Sequence, residues 1–313
     1  VKGSIFCPEE SILISRVRPT RGAVVLTDRK YAISSAFTII KPKINSRLLF
    51  YFLAWNKKFF EYLGNLQKGT SYPSVKESDI LDFEISFPED KVEQQKIVYI
   101  LDNIQNMIRV QEKIIEKTKE LKKSLLNEIF NSKVKSQKSK FKIQKLLNIA
   151  AVKYGKAKPK EESGDIPVIG SGGVYGYTNK ALIHQPTIII GRKGTAGMIY
   201  LMMKPCWPSD TTFYLEIDFK RVDPRYLYEF MKTKVISGEE AKTTLPSLKR
   251  EVLENIEIKI LPLPEQREIA EILQTIDQKI EIDQKKKALY EELFKTMLNK
   301  LMTGEIKVDN LKI

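Results

Sequence analysis

A chain of 313 residues is long enough for two ordinary domains, and a hydrophobic fraction of 42% can fill real cores. Only 15 glycines and 14 prolines exclude a fibrous or disordered chain. No run approaches about 18 consecutive apolar residues, which excludes a membrane-spanning helix.

Lysine and arginine number 53 against 39 acidic residues, a net charge of +14 that favours a polyanionic partner. The cysteines, Cys7 and Cys206, are too far apart for a disulfide framework or a zinc site. His184 is the single imidazole, in a stretch that reads as a strand edge or turn, and is expected to be structural. Val1 opens an ordinary mixed sequence without a secretory signal, and a natural start further upstream is expected. A reducing cytoplasmic compartment fits this cysteine usage.

In chain order, Ser46–Asn56 reads as a short helix and Phe83–Phe87 alternates as a strand. A long helix follows Pro88. Its seam repeats every four and three residues through Ile97, Leu101, Ile104, Ile108, Gln111, Ile115, Thr118, Lys122, Leu125 and Ile129. After a polar linker over 133–140, strands are expected at Ile166–Ile169, Thr187–Ile190, Met198–Met202 and Phe213–Ile217. A helix is expected over Pro224–Lys232 and a last strand over Ile256–Ile260. The second long helix begins near Pro264 and stops near Gly304. Its seam is Ile269, Leu273, Ile276, Ile280, Asp283, Lys287, Tyr290, Phe294, Met297 and Leu301. A period of 3.5 residues over this length predicts a coiled coil.

The two seams are copies. Glu93-Gln94 matches Glu265-Gln266, and Ile97, Ile100, Leu101, Ile104 and Ile108 recur in order at Ile269, Ile272, Leu273, Ile276 and Ile280. Upstream, Thr70–Lys76 aligns with Thr243–Lys249, Asn45–Leu53 with Asp223–Met231, and Ser11–Arg16 with Thr187–Arg192. The order is kept through every block, so the chain is a duplication of a globular unit followed by a helix. The expected fold class is α+β, with two β-rich units and two long helices packed as an antiparallel coiled coil with pseudo-two-fold symmetry. The expected boundaries are a first unit over 1–90, a helix over 91–134, a linker and second unit over 135–262, a helix over 263–304 and a tail over 305–313. Val1 pairs with Tyr177, so residues 141–176 have no counterpart and the first unit is expected to be N-terminally incomplete.

Charges within the long helices cancel, so the basic excess lies in the globular units and linkers. Candidate phosphate contacts are Arg16, Arg18 and Arg21 in the first unit. In the second they are Lys153, Lys156, Lys158, Arg192 and Lys193, with Tyr154 interleaved and Thr195 in the same loop as Arg192. Gly191, Gly194 and Gly197 would let a ligand approach the backbone. The plain alternative for any one of them is a solvated, lysine-rich surface.

Catalytic signatures are missing. No Asn/Asp-Pro-Pro-aromatic tetrapeptide for amino methylation and no phosphate-binding loop ending in Gly-Lys-Ser/Thr occurs. Gly191-Arg-Lys-Gly194 matches the short clamp of an RNA-binding KH module, but between strands rather than helices. Glu257-Ile-Lys259 and Glu305-Ile-Lys307 match a nuclease tail too short to carry weight, and the duplication replaces Lys259 by Ser86.

The motifs Gly164–Gly173, Gly176–Thr178, Thr187–Gly197, Pro246–Lys249 and Pro262–Arg267 together resemble the DNA-specificity subunit of type I restriction–modification enzymes. The resemblance implies that each globular unit is a target-recognition domain reading half of a split DNA site. It implies helices that set the spacing and dock two methyltransferase subunits, with motor–nuclease subunits beyond them. Catalysis and its cofactors, S-adenosylmethionine, ATP and magnesium, would then belong to those partners, and this chain would be no enzyme and hold no metal. About 39 helical residues at about 1.5 Å each make a rod of about 58 Å, more than one turn of duplex. The competing expectation is a coiled-coil scaffold whose basic domains read no sequence; the placement of charge outside the helices argues against it.

Overall fold

A computed structural model describes residues 4–69, 71–131, 141–160, 163–235 and 247–308. The linker over 133–140 and the Thr243–Pro246 half of one repeated motif lie outside these residues. The chain divides into one unit formed by 1–115 with 282–313 and another formed by 116–281. The division therefore cuts through both long helices rather than at their ends.

In the first unit, strands β1 (Ser4–Cys7), β2 (Ile12–Ser15), β3 (Val24–Leu26), β4 (Tyr31–Ser34) and β5 (Phe37–Ile40) precede helices α1 (Ser46–Trp55), α2 (Lys57–Leu66), α3 (Glu77–Leu81) and the long α4 (Lys91–Leu126). β2 is central between β3 and β5, and β1 pairs with β4 as a separate ribbon. All ladders are antiparallel. Ile12 and Ile14 on β2 pack with Leu49 and Leu53 of α1 and Phe59 and Leu63 of α2, the core of this unit.

The second unit adds β6 (Lys142–Lys145), β7 (Ala150–Tyr154), β8 (Ile166–Gly170), β9 (Gly173–Thr178), β10 (Thr187–Gly191), β11 (Ile199–Met202), β12 (Trp207–Pro208) and β13 (Thr212–Ile217). Helices α5 (Pro224–Val235) and α6 (Arg250–Glu254), strand β14 (Glu257–Ile260) and the long α7 (Leu263–Met302) complete it. The main sheet runs β11-β10-β13-β7. Its buried Ile188, Ile190, Phe213 and Leu215 pack with Tyr226 and Phe230 of α5 and Phe130 beyond the end of α4. α4 ends in a π-helical turn, Asn127–Asn131.

The duplication holds at the level of hydrogen bonds. The Arg16 N–H donates to Ala36 O at 2.8 Å and Arg192 N–H to Thr211 O at 2.9 Å. Val75 N–H donates to Arg16 O, as Leu248 N–H does to Arg192 O, each at 3.0 Å. One expectation fails: Phe83–Phe87 forms no strand. Its counterpart, β14, is held as a strand by pairing with β6. Among the described residues 83–87 pairs with no other strand. Alternation alone does not make a strand without a partner.

Both long helices are present, and within each unit they pair antiparallel. In the first unit Ile97, Leu101, Ile104 and Ile108 form one buried cluster with Phe294, Leu298 and Leu301, against which Met297 and Tyr290 pack. Lys287 meets Glu112 there at 2.9 Å. In the second unit Lys122 meets Asp277 at 2.6 Å. Leu273 is fully buried, Ile276, Ile280 and Leu125 are half-buried, and Ile269 packs on the sheet core. Three of the five polar interruptions of the seams, Gln111, Lys122 and Asp283, are buried too, and Thr118 and Lys287 are half-buried.

A buried glutamine fastens each globular part to its long helix. Gln94 accepts from Asn45 N–H at 2.8 Å and donates to Pro88 O at 2.8 Å. Gln266 accepts from Asp223 N–H at 2.9 Å and donates to Leu261 O at 2.8 Å and Arg221 O at 3.1 Å. Asn45 and Asp223 are themselves the N-terminal caps of α1 and α5: Asn45 Oδ1 accepts from Arg47 and Leu48, and Asp223 Oδ1 from Arg225 and Tyr226. One side-chain amide thus ties together a helix cap, the preceding loop and the first turn of the long helix.

Gln266→Ala should destabilise the second unit by about 2–3 kcal/mol in denaturant unfolding, because a buried N–H and two carbonyls lose their partner. The exposed Gln278→Ala on the same helix should stay within about 0.5 kcal/mol of the parent. Lys122 also meets the buried Glu229 at 3.2 Å. Lys122→Ala should cost about 2 kcal/mol by leaving that buried carboxylate with Lys232 alone, 3.6 Å away, and Lys122→Met with Glu229→Leu should recover most of it in the same measurement.

Candidate nucleic-acid interface

Three turns of the second unit converge on one cleft of about 500 Å³. The β8–β9 hairpin supplies Gly170–Tyr175, the β10–β11 loop supplies Lys193–Thr195, and the segment between β12 and β13 supplies Ser209 and Thr211. Glycine is needed where these turns touch. A Cβ at Gly191 would collide with Thr195 O, and one at Gly155 with Ser209 O. At these two positions glycine is kept for close backbone approach.

The floor of the cleft is a hydroxyl network built on Thr211. Ser171 Oγ donates to Thr211 O at 2.6 Å, and the Ser209 and Thr211 hydroxyls lie 2.7 Å apart. The backbone N–H groups of Arg192 and Lys193 donate to the same Thr211 carbonyl at 2.9 and 3.2 Å. Tyr200 OH donates to Ser171 O at 3.1 Å, bracing the hairpin from β11. Each wall is therefore bonded to another, and the cleft is preorganised.

Most of the basic and aromatic candidates of this unit meet around that cleft. Lys193 and Thr195 line it and are exposed. Lys158 reaches over the ring of the lining residue Tyr175, 5.9 Å from its centroid. Lys156 pairs through its backbone with Ser209, and its side chain is exposed. The Arg192 guanidinium stacks 5.3 Å from the Tyr154 ring and 5.8 Å from that of Phe213, and its Nη2 donates to Asp210 O at 2.7 Å. Lys153 stands apart: on β7 it faces Glu216 at 3.6 Å, which offsets its charge.

In the first unit Arg16 donates from Nη2 to Ser35 O. Arg18 has a left-handed backbone (φ 50°) and stacks 5.2 Å from the Tyr72 ring. Arg21 ends a short 3-10 turn and is exposed. Among the described residues these arginines are not faced by a glycine-rich hairpin like β8–β9.

Sequence reasoning missed Ser171, Tyr175, Ser209 and Thr211 as lining residues. A signal existed in Gly170-Ser-Gly-Gly173, but the Ser209-Asp-Thr-Thr212 hydroxyls join it through long-range pairing of β12 with β8 and of β13 with β10. Lys259, half of the nuclease-like tripeptide, donates to Ile129 O at 3.2 Å and lies 4.2 Å from the Phe141 ring, so it closes the end of the first long helix. Cys7 and Cys206 are free and buried, and burial pushes the Cys206 thiol up to about 12. His184 is exposed. Among the described residues, no helix is long and apolar enough to cross a membrane.

The family model for the type I restriction–modification DNA specificity domain matches residues 2–120 and again 135–292. The chain is similar to the type I restriction enzyme MjaVIII specificity subunit of Methanocaldococcus jannaschii, 26% identical over 98% of this chain and 81% of the relative. It is also similar to the MjaIX specificity subunit of that organism, 25% identical over 97% and 79%. In fold it matches the crystal structure of a type I S subunit from M. genitalium, with a TM-score of 0.67 at 20% identity over 94% of this chain and 83% of that one. The HsdS subunit from Thermoanaerobacter tengcongensis matches with a TM-score of 0.51 at 17% identity, over 96% and 82%. A doubled β-rich unit with paired long helices, matched twice by one family model, makes this chain a member of the type I restriction–modification DNA specificity family.

Proposed function

We propose that this chain is the non-catalytic reader of a type I restriction–modification complex, each globular unit recognising half of a bipartite duplex site. The observation that carries the reading is the cleft of the second unit, where Lys156, Lys158 and Lys193 gather with Tyr154 and Tyr175 around glycine-rich turns. Lysines around a preorganised backbone surface suit phosphate contacts that fix register. Hydroxyl and tyrosine side chains beside them suit hydrogen bonding and packing at base edges in the major groove. On this reading the long helices set the gap between half-sites.

The helices also carry a surface suited to a partner. In the first unit Met107, Val110 and Ile114 of α4 and Ile282, Leu289 and Leu293 of α7 are exposed, and each immediately precedes a seam residue. They share one flank of each helix, and like flanks of an antiparallel pair lie on the same side. An apolar strip of this kind marks an interaction site. The occupant we propose is the methyltransferase subunit, two copies serving the two units, with motor–nuclease subunits joining them. S-adenosylmethionine, ATP and magnesium then act in those partners.

In the reconstituted complex, affinity for a cognate duplex should fall at least about fortyfold between about 50 and 200 mM salt, as three phosphate contacts, one for each cleft lysine, require. Salt-insensitive or absent duplex binding, measured by fluorescence anisotropy, would contradict the reading. Val110→Glu with Leu289→Glu should abolish co-purification with the methyltransferase subunit while shifting stability by no more than about 0.5 kcal/mol at each exposed position. Unchanged co-purification would remove that face as the dock.

A further inference from the structure

We propose that Arg192 is a positioning residue: it pins the Ser209–Thr211 wall of the reading cleft, and the phosphate is left to Lys193 beside it. The inference rests on the DNA-reading role proposed above, and assigns different work to two adjacent cations that the sequence alone treats as equals.

Arg192 is turned into the protein. Its backbone N–H is bonded to Thr211 O, its carbonyl accepts from Leu248, and its Nη2 donates to Asp210 O at 2.7 Å. The side chain thereby joins the end of β10 to the loop between β12 and β13, and its backbone holds the Ser247–Lys249 turn. Nε is buried without an acceptor, and the guanidinium plane is taken up by the Tyr154 and Phe213 rings. Lys193 is exposed and lines the cleft.

The first unit repeats the arrangement independently. Arg16 bonds through its backbone to Ala36 O and Val75 N–H, donates from Nη2 to Ser35 O, and also leaves Nε buried without an acceptor. Ser35 and Asp210 occupy the same place in the two copies, each one residue before the carbonyl that accepts the arginine's own N–H. A phosphate ligand needs an outward fork; the same inward fork in both copies is what holding a loop requires. A buried N–H without an acceptor is a cost, offset at Arg192 by the stacking and at both arginines by the bond to the loop.

The two roles separate by conservative replacement and by salt. A phosphate contact tolerates lysine, whereas a fork that spans a carbonyl and two rings does not. Duplex binding by the reconstituted complex would be measured for Arg192→Lys, Arg192→Met and Lys193→Ala across about 50–200 mM salt, with matched and mismatched second half-sites. The fraction of active complex would be counted by stoichiometric titration. Arg192→Lys and Arg192→Met should each weaken cognate binding roughly tenfold, as loss of one charged hydrogen bond implies, and blur discrimination at the second half-site only. Neither should change the salt slope, whereas Lys193→Ala should reduce it by about one.

Parent-like affinity in Arg192→Lys, or a slope reduced by Arg192→Met as much as by Lys193→Ala, would make Arg192 a phosphate contact and overturn the proposal. A lower active fraction with parent-like affinity and discrimination would make it merely structural, and overturn it equally. If Arg192→Met does not assemble, Arg192→Lys alone decides by the same outcomes. Failure of the parent complex to bind any duplex would instead defeat the DNA-reading role itself.

Discussion

The buried amide of a glutamine at the start of each long helix is the constraint on which the architecture depends. Gln94 and Gln266 are 3% and 0% exposed, and each closes the hydrogen bonding of a helix cap and of the loop leading into the long helix. A helix attached to a domain through a plain loop would swivel. A buried side chain bonded to groups on both sides removes that freedom, because any rotation leaves polar atoms unpaired in a dry environment. On the proposed reading, in which the helices set the gap between half-sites, this stiffness is needed within each unit.

The seams extend the same logic. Apolar residues make the first unit's helix pair, where Leu101 and Phe294 are fully buried. Where the seam turns polar, the partners are specific. Lys122 meets Asp277 on the opposite helix and Glu229 on α5. In the first unit, Tyr51 of α1 donates to Asp102 of α4 at 2.5 Å, and burial with that carboxylate pushes its phenol upward. The buried Lys122–Glu229 pair adds little net stability, while the Lys122–Asp277 contact between the long helices penalises a slipped register, since a shift of one turn would strand the lysine.

The sequence made the long helices, the duplication and most strands of the second unit legible, because these follow from local period and order. Ile97, Leu101, Ile104 and Ile108 are buried as the four-three pattern implies, while Leu298 and Met302 join Met297 and Leu301 because an α-helix drifts against a strict heptad. Phe83–Phe87 was misread because alternation records a two-faced segment and says nothing about a partner for its backbone. The cleft was half legible. Its lysines and glycines stand in the motifs, but the Ser209–Thr211 wall arrives through long-range pairing. The direction of a guanidinium was not legible at all: Arg192 and Lys193 are neighbours in sequence, and only tertiary contacts turn one inward and the other out.

The most direct test of the central claim, that this chain is a doubled reader of split DNA sites, is a genome-wide map of DNA methylation in the host with and without the gene. The account predicts one modified motif made of two short halves around a fixed gap, lost when the gene is removed and restored by the intact chain. A methylation pattern that does not change, or a lost motif without a gap, would contradict it.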